Sequence, residues 1–311
     1  MNSKKILVLA GGSVKGAFQA GVIKAVFETG FVPDAIYGVS AGSMNAAFLI
    51  DQFGQSALGE KPIDCVTAAN DLIQFWLENI YEPSCLARRR GTYELGLSAI
   101  RRNFEGLLDT TPLKEIVHNN LFVHHMRASP IKLRVGAVDI INGGIVYADP
   151  TFDHFLDYIM ASSAIPILMP VVKIGEHAKM AFLDGGLRDV APIRKVINDG
   201  AEEVICIACH NQNMEAGYFS YGNLLALVDR IMDIAVNESL NSDLDWAELH
   251  NLVYHEKVET ETFKPNRGKR KIKLTIIRPE MPLNIDIQNF DRGDIERIID
   301  IGYQKGRELF F

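Results

Sequence analysis

The sequence predicts an α/β protein with a mainly parallel central sheet and helices on both of its faces. Short apolar runs alternate with segments whose apolar residues have helical spacing, which is the pattern of strands joined by crossover helices. Glycine-rich turns follow two of the predicted strands. Of the 311 residues, 48% are hydrophobic and 23% are charged, so the chain has enough apolar material for a large core.

The first fifty residues predict a βαβ unit. Residues 6–10 are a continuous apolar run, typical of a strand buried on both faces of a parallel sheet. A helix follows, with Phe18, Val22 and Val26 at helical spacing, and residues 35–39 form a second apolar run. Residues 41–50 again have helical character. Because a helix joins the two strands, we expect them to be parallel.

The rest of the chain predicts additions to this unit. Residues 51–130 are predicted to be a helical insertion that forms a wall or cap, and Asn-Gly-Gly at 142–144 predicts a hairpin. Further strands are predicted near 179–184, 202–210 and 271–279, and further helices near 153–166, 224–240 and 294–311. No repeat or linker divides the chain, so we expect one domain over residues 1–311, with the C-terminal strand and helix elements in 200–311.

Charge and composition argue against several classes of protein. The net charge of −7 disfavours general nucleic-acid binding. Cys206 and Cys209 form a lone C-x-x-C in an apolar run, which favours core packing over a zinc site and reduced thiols over disulfides. The apolar run at 6–10 is too short for a signal peptide, and no stretch approaches the roughly 18 apolar residues of a spanning helix. We expect a cytoplasmic chain that at most lies on a membrane surface.

A G-x-S-x-G motif lies between the second predicted strand and its helix. Gly38, Ser40 and Gly42 have the spacing of a nucleophile elbow, in which the serine occupies a sharp turn and the glycines let the backbone fold tightly around it. The motif alone is common by chance, but the strand before it and the helix after it match the elbow. Ser40 is therefore the candidate nucleophile, although the motif taken alone is also consistent with an ordinary turn serine.

A glycine-rich loop follows the first predicted strand. It runs from Gly11 and Gly12 through Ser13 and Lys15 to Gly16. The carboxyl ends of two parallel strands meet at the same edge of a sheet, so this loop is expected beside Ser40, where its N–H groups could stabilise an oxyanion. A dinucleotide site would need glycine in place of Ser13, and a P-loop would have its lysine after the last glycine. The loop fits neither motif.

Asp184 is the candidate general base. It ends a short apolar run and is followed by Gly185 and Gly186. If that run joins the same sheet, Asp184 reaches the same edge as Ser40, whereas taken alone Asp-Gly-Gly is an ordinary turn. An aspartate with a pKa near 4 is a poor base for a serine hydroxyl, so we expect burial in a low-dielectric cleft to raise its pKa.

Four sequence blocks carry a family resemblance. In chain order they are AGGSVKGAFQAGV, GVSAGSMNA, ASSAIPILMP and FLDGGLRDVAP, and together they resemble the patatin-like phospholipase family over residues 5–192. The resemblance implies the patatin-like serine hydrolase fold and a metal-independent, cofactor-free Ser-Asp dyad that cleaves lipid acyl esters through an acyl-serine. Ser40 would be the nucleophile, Asp184 the base, and the N–H groups of Gly11, Gly12 and Ser13 the oxyanion hole.

The remaining motif residues would support this site: Lys15, Gly16, Gly38, Gly42, Gly185 and Gly186. The sequence departs from the family pattern at one position, because the family usually has a third consecutive glycine where this chain has Ser13. That departure bears on the conformation of the loop and on its donors. We expect Lys15, which keeps the basic position of the pattern, to support the loop rather than to react.

Several functional alternatives stay open at this point. The expected substrate is a phospholipid, a lysophospholipid or another acyl ester; an acyltransferase that uses the same acyl-Ser40, or a lipid-binding protein without turnover, would have the same motifs. An α/β-hydrolase triad would need a late histidine, and His210, His250 and His255 occur in no recognisable motif. Metal hydrolysis is disfavoured because neither His124 and His125 nor the late histidines have a helical i, i+4 spacing.

A basic run in the C-terminal part suggests a membrane contact. Residues 264–273 hold six Lys or Arg in an otherwise acidic chain, and a solvated loop explains them as simply as a binding site does. As a hypothesis, Lys269, Arg270 and Lys271 contact anionic lipid headgroups, at about 1 kcal/mol per residue near the surface.

Overall fold

The computed structural model of the chain describes residues 4–91, 105–175, 180–214, 224–255 and 271–311. An eight-stranded sheet runs through these residues, and a two-stranded ribbon lies outside it. The strands are β1 (Lys5–Leu9), β2 (Ala35–Val39), β3 (Arg88–Arg89), β4 (Leu108–Asp109), β5 (Lys132–Asp139), β6 (Ile145–Ala148), β7 (Val172–Ile174), β8 (Met180–Asp184), β9 (Glu203–Ile207) and β10 (Lys273–Ile277).

Helices connect the strands and cover the sheet. The α-helices of the described residues are α1 (Ala17–Glu28), α2 (Ala41–Ala57), α3 (Cys65–Asn79), α4 (Thr111–Asn120), α5 (Val123–Ala128), α6 (Phe155–Ser162), α7 (Ile193–Asn198), α8 (Leu224–His255) and α9 (Arg292–Phe310). Short 3₁₀ turns precede α1, follow α3 and follow β8. Within the described residues, no helix combines the length and the apolar composition needed to cross a membrane.

The sheet is mainly parallel, as the sequence predicts. Its order is β10-β9-β1-β2-β5-β8-β7, with β6 paired to β5 outside this path. Strands β10, β9, β1, β2 and β5 run parallel, whereas β6, β7 and β8 are antiparallel to their neighbours. The predicted α/β class is confirmed, and so is the hairpin around residues 142–144, which joins β5 to β6.

Helices pack on both faces of this sheet because side chains alternate along each strand. In β1, Leu7 and Leu9 face a core that includes α1, α2, α3 and α9. Ile6 and Val8 face a second core that includes α7 and α8. All four side chains are fully buried, which is the burial expected of a parallel strand covered on both sides.

Strand β8 meets β2 end to end on the same flank of β5. Gly136 of β5 pairs with Val39 of β2 on one flank and with β6 on the other. The next residue, Ala137, still pairs with β6 on one flank, and on the other flank it pairs with Asp184 of β8. Strand β8 therefore begins to pair with β5 where β2 stops. Because β8 is antiparallel to β5, its carboxyl end points at the carboxyl end of β2. The sequence predicts Asp184 at this edge if its strand joins the sheet, and in the structure β8 brings it there as an antiparallel strand.

The segment predicted as an insertion only partly stands apart from the sheet. Residues 51–57 continue α2, and α3 and α4 bury Leu72, Trp76 and Leu113 in the larger core. Residues 92–104 lie outside the described residues, as do residues 264–270 of the basic run, including Lys269 and Arg270. The predicted membrane contact of that run therefore stays a prediction.

Candidate active site

Ser40 occupies a strained turn between β2 and α2. Its φ of 54° and ψ of −128° lie in a region that non-glycine residues rarely adopt. The turn is closely packed: a Cβ on Gly42 would lie 2.1 Å from the Leu9 carbonyl oxygen, and one on Gly38 would lie 2.4 Å from the Gly42 carbonyl oxygen. Only glycine fits at either position, so this G-x-S-x-G forms the sharp turn that a nucleophile elbow requires.

Neighbouring serines hold the backbone of this turn. The Ser40 N–H donates to Oγ of Ser162 (2.9 Å), and that hydroxyl donates to the Gly136 carbonyl of β5 (2.6 Å). Oγ of Ser43 donates to the Ser40 carbonyl (2.6 Å). Ser162 is fully buried, so these hydrogen bonds lie away from water. Sequence reasoning included Ser162 in a family block but assigned it no role.

Asp184 lies beside Ser40, and the two residues line the same cavity. Oδ1 of Asp184 also accepts from the Gly186 N–H (2.7 Å), which fixes the carboxylate at the start of the turn after β8. Burial raises the pKa of Asp184 to about 6, although the nearby Ser40 hydroxyl and the hydrogen bond from Gly186 act in the opposite direction. A carboxylate with that pKa can accept a proton from serine near neutral pH.

The glycine-rich loop passes directly over Ser40. A Cβ on Gly11 would lie 3.3 Å from Cβ of Ser40. The Gly11 N–H donates to the Val190 carbonyl (3.0 Å), so in this conformation it is not available as the oxyanion donor that the sequence predicts. Among the described residues, none accepts a hydrogen bond from the N–H of Gly12 or Ser13. These two amides therefore remain as candidate donors.

Ser13 adopts the left-handed conformation, with a φ of 51°. This is the position at which the family pattern usually has its third glycine, and glycine reaches such a φ at little cost. A serine there carries backbone strain of about 1–2 kcal/mol. The loop therefore keeps a conformation suited to glycine even though its residue is serine.

A buried chain of amide side chains fixes the loop to the first helices. Nε1 of Trp76 donates to Asn45 (2.8 Å), and Nδ2 of Asn45 donates to the Gly16 carbonyl (3.0 Å) and to Oε1 of Gln19 (2.9 Å). Nε2 of Gln19 in turn donates to the carbonyl of Ala10 (2.8 Å), where β1 enters the loop. Sequence reasoning missed these residues, and the signal that could have found them is a Gln and an Asn flanked by apolar residues in the first two predicted helices.

Two cavities open from Ser40. The first is an open cleft whose lining is almost entirely apolar. Its walls come from the loop, α2, α3, α4 and the segment after α6: Ser13, Val14, Ser40, Ala41, Met44, Trp76, Ile80, Leu86, Leu113, Ser163, Ile165 and Met169. We call it the acyl cavity. An uncharged, apolar cleft suits a flexible hydrocarbon chain.

The second cavity is larger than the first and contains charged groups. Its lining includes Gly11, Gly12, Ser13, Lys15, Ser40, Ile165, Asp184, Gly186, Val190, His210, Asp229, Met232, Asp233, Val236, Ile285 and Ile287. We call it the polar cavity. Ser13, Ser40 and Ile165 line both cavities, whereas Asp184 lines the polar cavity and not the acyl cavity.

Lys15 and His210 converge on Asp233 in the polar cavity. Nζ of Lys15 lies 2.8 Å from Oδ1 of Asp233, and Nε2 of His210 lies 3.1 Å from the same oxygen. Although burial opposes it, the hydrogen bond from His210 and the charge of Lys15 lower the pKa of Asp233 well below its usual range. Burial lowers the pKa of His210, and burial with the charge of Asp233 raises the pKa of Asp229 to about 6. The Lys15–Asp233 ion pair thereby ties the glycine-rich loop to α8.

The other candidate residues fall outside this arrangement. Of the two late histidines whose side chains the structure describes, His210 lines the polar cavity and His250 lines neither, and His210 faces Asp233 rather than Asp184. Cys206 and Cys209 are free thiols buried in or beside β9, where burial raises their pKa values, so they are core residues. His124 and His125 lie on α5 and line neither cavity.

Comparison with known proteins finds relatives in mycobacteria and in Escherichia coli. An uncharacterized NTE family protein of Mycobacterium bovis and one of Mycobacterium tuberculosis are each 29% identical to this chain over 203 residues. Each match covers 65% of this chain and 29% of the relative. The uncharacterized protein YjjU of Escherichia coli is 28% identical over 65% of this chain and 50% of its own length. This chain thus spans at most half the length of these relatives.

One solved structure extends over the whole chain. The crystal structure of VipD from Legionella pneumophila covers 100% of this chain and 67% of its own, with 13% identity and a TM-score of 0.43. The family model for patatin-like phospholipase matches residues 7–197, which include the elbow, the glycine-rich loop and Asp184. The resemblance carried by the four sequence blocks is therefore confirmed, and this chain belongs to the patatin-like phospholipase family.

Proposed function

We propose that the protein is a lipid acyl hydrolase that cleaves carboxylic esters through an acyl-serine on Ser40. The single observation that carries the proposal is the placement of Ser40, held in a strained elbow, beside a buried carboxylate with a raised pKa. A serine needs an adjacent base to become nucleophilic at neutral pH, and Asp184 is that base. Membership of the patatin-like phospholipase family supports an acyl-lipid substrate.

In the first half of the reaction, Oγ of Ser40 attacks the acyl carbonyl carbon while Asp184 takes the hydroxyl proton. Negative charge then develops on the carbonyl oxygen, and the N–H groups of Gly12 and Ser13 stabilise it. One such donor contributes about 3–4 kcal/mol to the transition state of other hydrolases. The bond between the carbonyl carbon and the alcohol oxygen breaks, Asp184 returns its proton to that oxygen, and the alcohol leaves.

In the second half, water attacks the acyl-serine. Asp184 takes a proton from the water and returns it to Oγ of Ser40, which releases the fatty acid and restores the enzyme. The acyl cavity would hold the hydrocarbon chain during both steps, because its walls are apolar and it opens at Ser40. The alcohol portion would leave through the polar cavity, where Asp184 lies.

The experiment measures fatty-acid release from phosphatidylcholine and lysophosphatidylcholine micelles in excess chelator, for wild type and Ser40→Ala. We expect release by wild type and a loss of at least about 10³-fold in Ser40→Ala, because the nucleophile is removed. Ser84→Ala, an equivalent change at a residue that lines neither cavity, should keep the wild-type rate. A fluorophosphonate probe should label wild type and not Ser40→Ala.

Other outcomes would reject or redirect the proposal. Equal release by wild type and Ser40→Ala would show that Ser40 is not the nucleophile. Absence of release together with absence of probe labelling would favour a lipid-binding protein of the same fold. Transfer of the acyl group to an added alcohol in preference to water would identify an acyltransferase that uses the same acyl-Ser40.

A further inference from the structure

A cluster of histidine and carboxylate side chains lies far from Ser40, near the other end of α2. Asp51 is on α2, eleven residues beyond Ser40, which is about 16 Å along the helix axis. Glu60 follows the end of α2, and His124 and His125 are in α5, which packs against α2. None of these residues lines the acyl cavity or the polar cavity.

Asp51 orients the ring of His125. Asp51 is fully buried, and its carboxylate lies 3.2 Å from Nδ1 of His125. The same carboxylate accepts from the Phe122 N–H (2.7 Å) and from Nε2 of Gln55 (2.9 Å), so its own position is fixed. Since a carboxylate can only accept, Nδ1 of His125 carries a proton and donates to it.

The other ring nitrogen of His125 faces a second carboxylate. Nε2 of His125 lies 3.1 Å from Oε2 of Glu60. In a neutral imidazole with its proton on Nδ1, Nε2 has a lone pair, so two acceptors would face each other. This contact is favourable only when a cation, either a proton or a metal ion, lies between them.

His124 is a third donor, and its position favours a metal ion over a proton. One ligand atom each from Glu60, His124 and His125 lies within 4.8 Å of the others, and the rings of His124 and His125 have centroids 4.1 Å apart. A proton shared by Glu60 and His125 needs only these two groups and gives the imidazole of His124 no role. A metal ion uses all three groups as ligands.

We propose that Glu60, His124 and His125 bind a divalent transition-metal ion of the zinc class. Two imidazoles and one carboxylate are a donor set that Zn²⁺ uses, whereas Mg²⁺ and Ca²⁺ prefer oxygen ligands. Tetrahedral ligands at 2.0–2.2 Å from zinc are about 3.3–3.6 Å apart, so His125 and Glu60, at 3.1 Å, are close to that spacing, and the ligand atom of His124, within 4.8 Å of both, would approach them when the ion binds. Asp51, which faces Nδ1 of His125, would be the carboxylate that orients this metal-bound ring.

The site would link two parts of the chain. Glu60 belongs to the segment after α2, and its side chain is half exposed, while His124 is also exposed, so an ion can enter from solvent. Binding would fix that segment to α5. Because the site is remote from Ser40, the ion would stabilise the fold without taking part in ester cleavage, and the proposal does not depend on the proposed hydrolase activity.

The test is Zn²⁺ binding to the full, tag-free chain, measured by calorimetric titration after chelator treatment and by the shift in melting temperature. We expect wild type to bind one Zn²⁺ at this site and to melt at a higher temperature with it. His124→Ala and Glu60→Gln each remove one exposed ligand, so each should weaken this binding at least tenfold. Millimolar Mg²⁺ should not compete.

Matched controls are available on α4. His118→Ala and Glu115→Gln change exposed residues of the same two types outside the cluster and should bind Zn²⁺ within twofold of wild type. Binding of equal strength in wild type and His124→Ala, or none in wild type, would overturn the proposal. The Asp51–His125–Glu60 contacts would then be a hydrogen-bonded chain around a proton.

Discussion

The two cavities that meet at Ser40 differ in the chemistry of the residues that line them. The acyl cavity is lined by Met44, Trp76, Leu113 and other apolar side chains, whereas the polar cavity contains Lys15, His210, Asp229 and Asp233. The smaller cavity lies against the larger hydrophobic core, and the larger cavity lies between the glycine-rich loop and α8. The proposed nucleophile, Ser40, lines both cavities, so the ester bond would be cut where the two environments join.

This difference predicts how the ester substrate is oriented in the site. A fatty acyl chain gains free energy only where water is excluded by apolar walls, at about 0.8 kcal/mol per buried methylene. The alcohol portion must leave with a proton, and Asp184, the proposed proton carrier, lines the polar cavity and not the acyl cavity. We therefore expect changes in the polar cavity near Asp184 to affect chemistry and changes in the acyl cavity to affect chain-length preference.

The largest expected effect is that of Asp184→Asn. An amide cannot take the Ser40 proton, so kcat/KM for ester hydrolysis should fall at least about 10³-fold. In wild type, kcat/KM should rise with pH through about 6 and then level off, because the pKa of Asp184 is raised to about 6 and only its ionised form is a base. A pH–rate profile with an exposed-site control, Asp153→Asn, checks this; an Asp184→Asn enzyme with wild-type activity contradicts it.

The same substitution should stabilise the fold. A folded pKa near 6 against an ordinary value of about 3.9 means that burying this carboxylate favours its neutral form. The stability that Asp184 contributes is thus present below pH 4 and is lost as pH rises through 6. At pH 7.5, Asp184→Asn should raise the free energy of unfolding by about 1–3 kcal/mol, and at pH 4 the difference should vanish. Urea denaturation at both pH values measures this.

An intermediate effect is expected from filling the acyl cavity. Leu86 is partly buried in its wall, so Leu86→Trp should exclude two or three methylenes of a long acyl chain. That loss of about 2 kcal/mol corresponds to at least tenfold in kcat/KM for a palmitoyl ester. A butyryl ester should change less than threefold, since its chain is too short to reach the new side chain.

The control for this variant is Leu58→Trp, the same change at an exposed residue that lines neither cavity. It should leave both esters at wild-type rates. Equal losses for the palmitoyl and butyryl esters in Leu86→Trp would show that the acyl chain does not occupy this cavity.

The smallest expected effect is that of Ser13→Gly, at the boundary between the cavities. The backbone N–H remains, and glycine adopts a φ of 51° without strain, so kcat/KM should change less than threefold. Relief of strain and the added freedom of glycine in the unfolded chain oppose each other, so the free energy of unfolding should change by less than about 1 kcal/mol. If Ser13→Gly and Ser13→Ala both lose 100-fold, the Ser13 hydroxyl, and not only the loop backbone, is needed.

Much of the candidate site could be predicted from sequence because its motifs are local. Gly38, Ser40 and Gly42 determine one turn, and no distant residue is needed to recognise it. The support from Ser162, 122 positions away, could not be predicted, since it depends on how α6 packs against β5. The same holds for the metal-site proposal: the spacing of His124 and His125 argued against a site, and only the fold places Glu60 beside them.

The sequence by itself determined the alternation of strands and helices, the elbow at Ser40 and the hairpin after β5, because hydrophobic periodicity and glycine placement act over a few residues. The tertiary structure decided the rest. The antiparallel entry of β8 brings Asp184 to Ser40, and the contact with Val190 removes Gly11 from the available donors. Burial raises the pKa of Asp184 to about 6. Pairing, burial and solvent exclusion depend on residues far apart in the chain, so only the folded chain sets them.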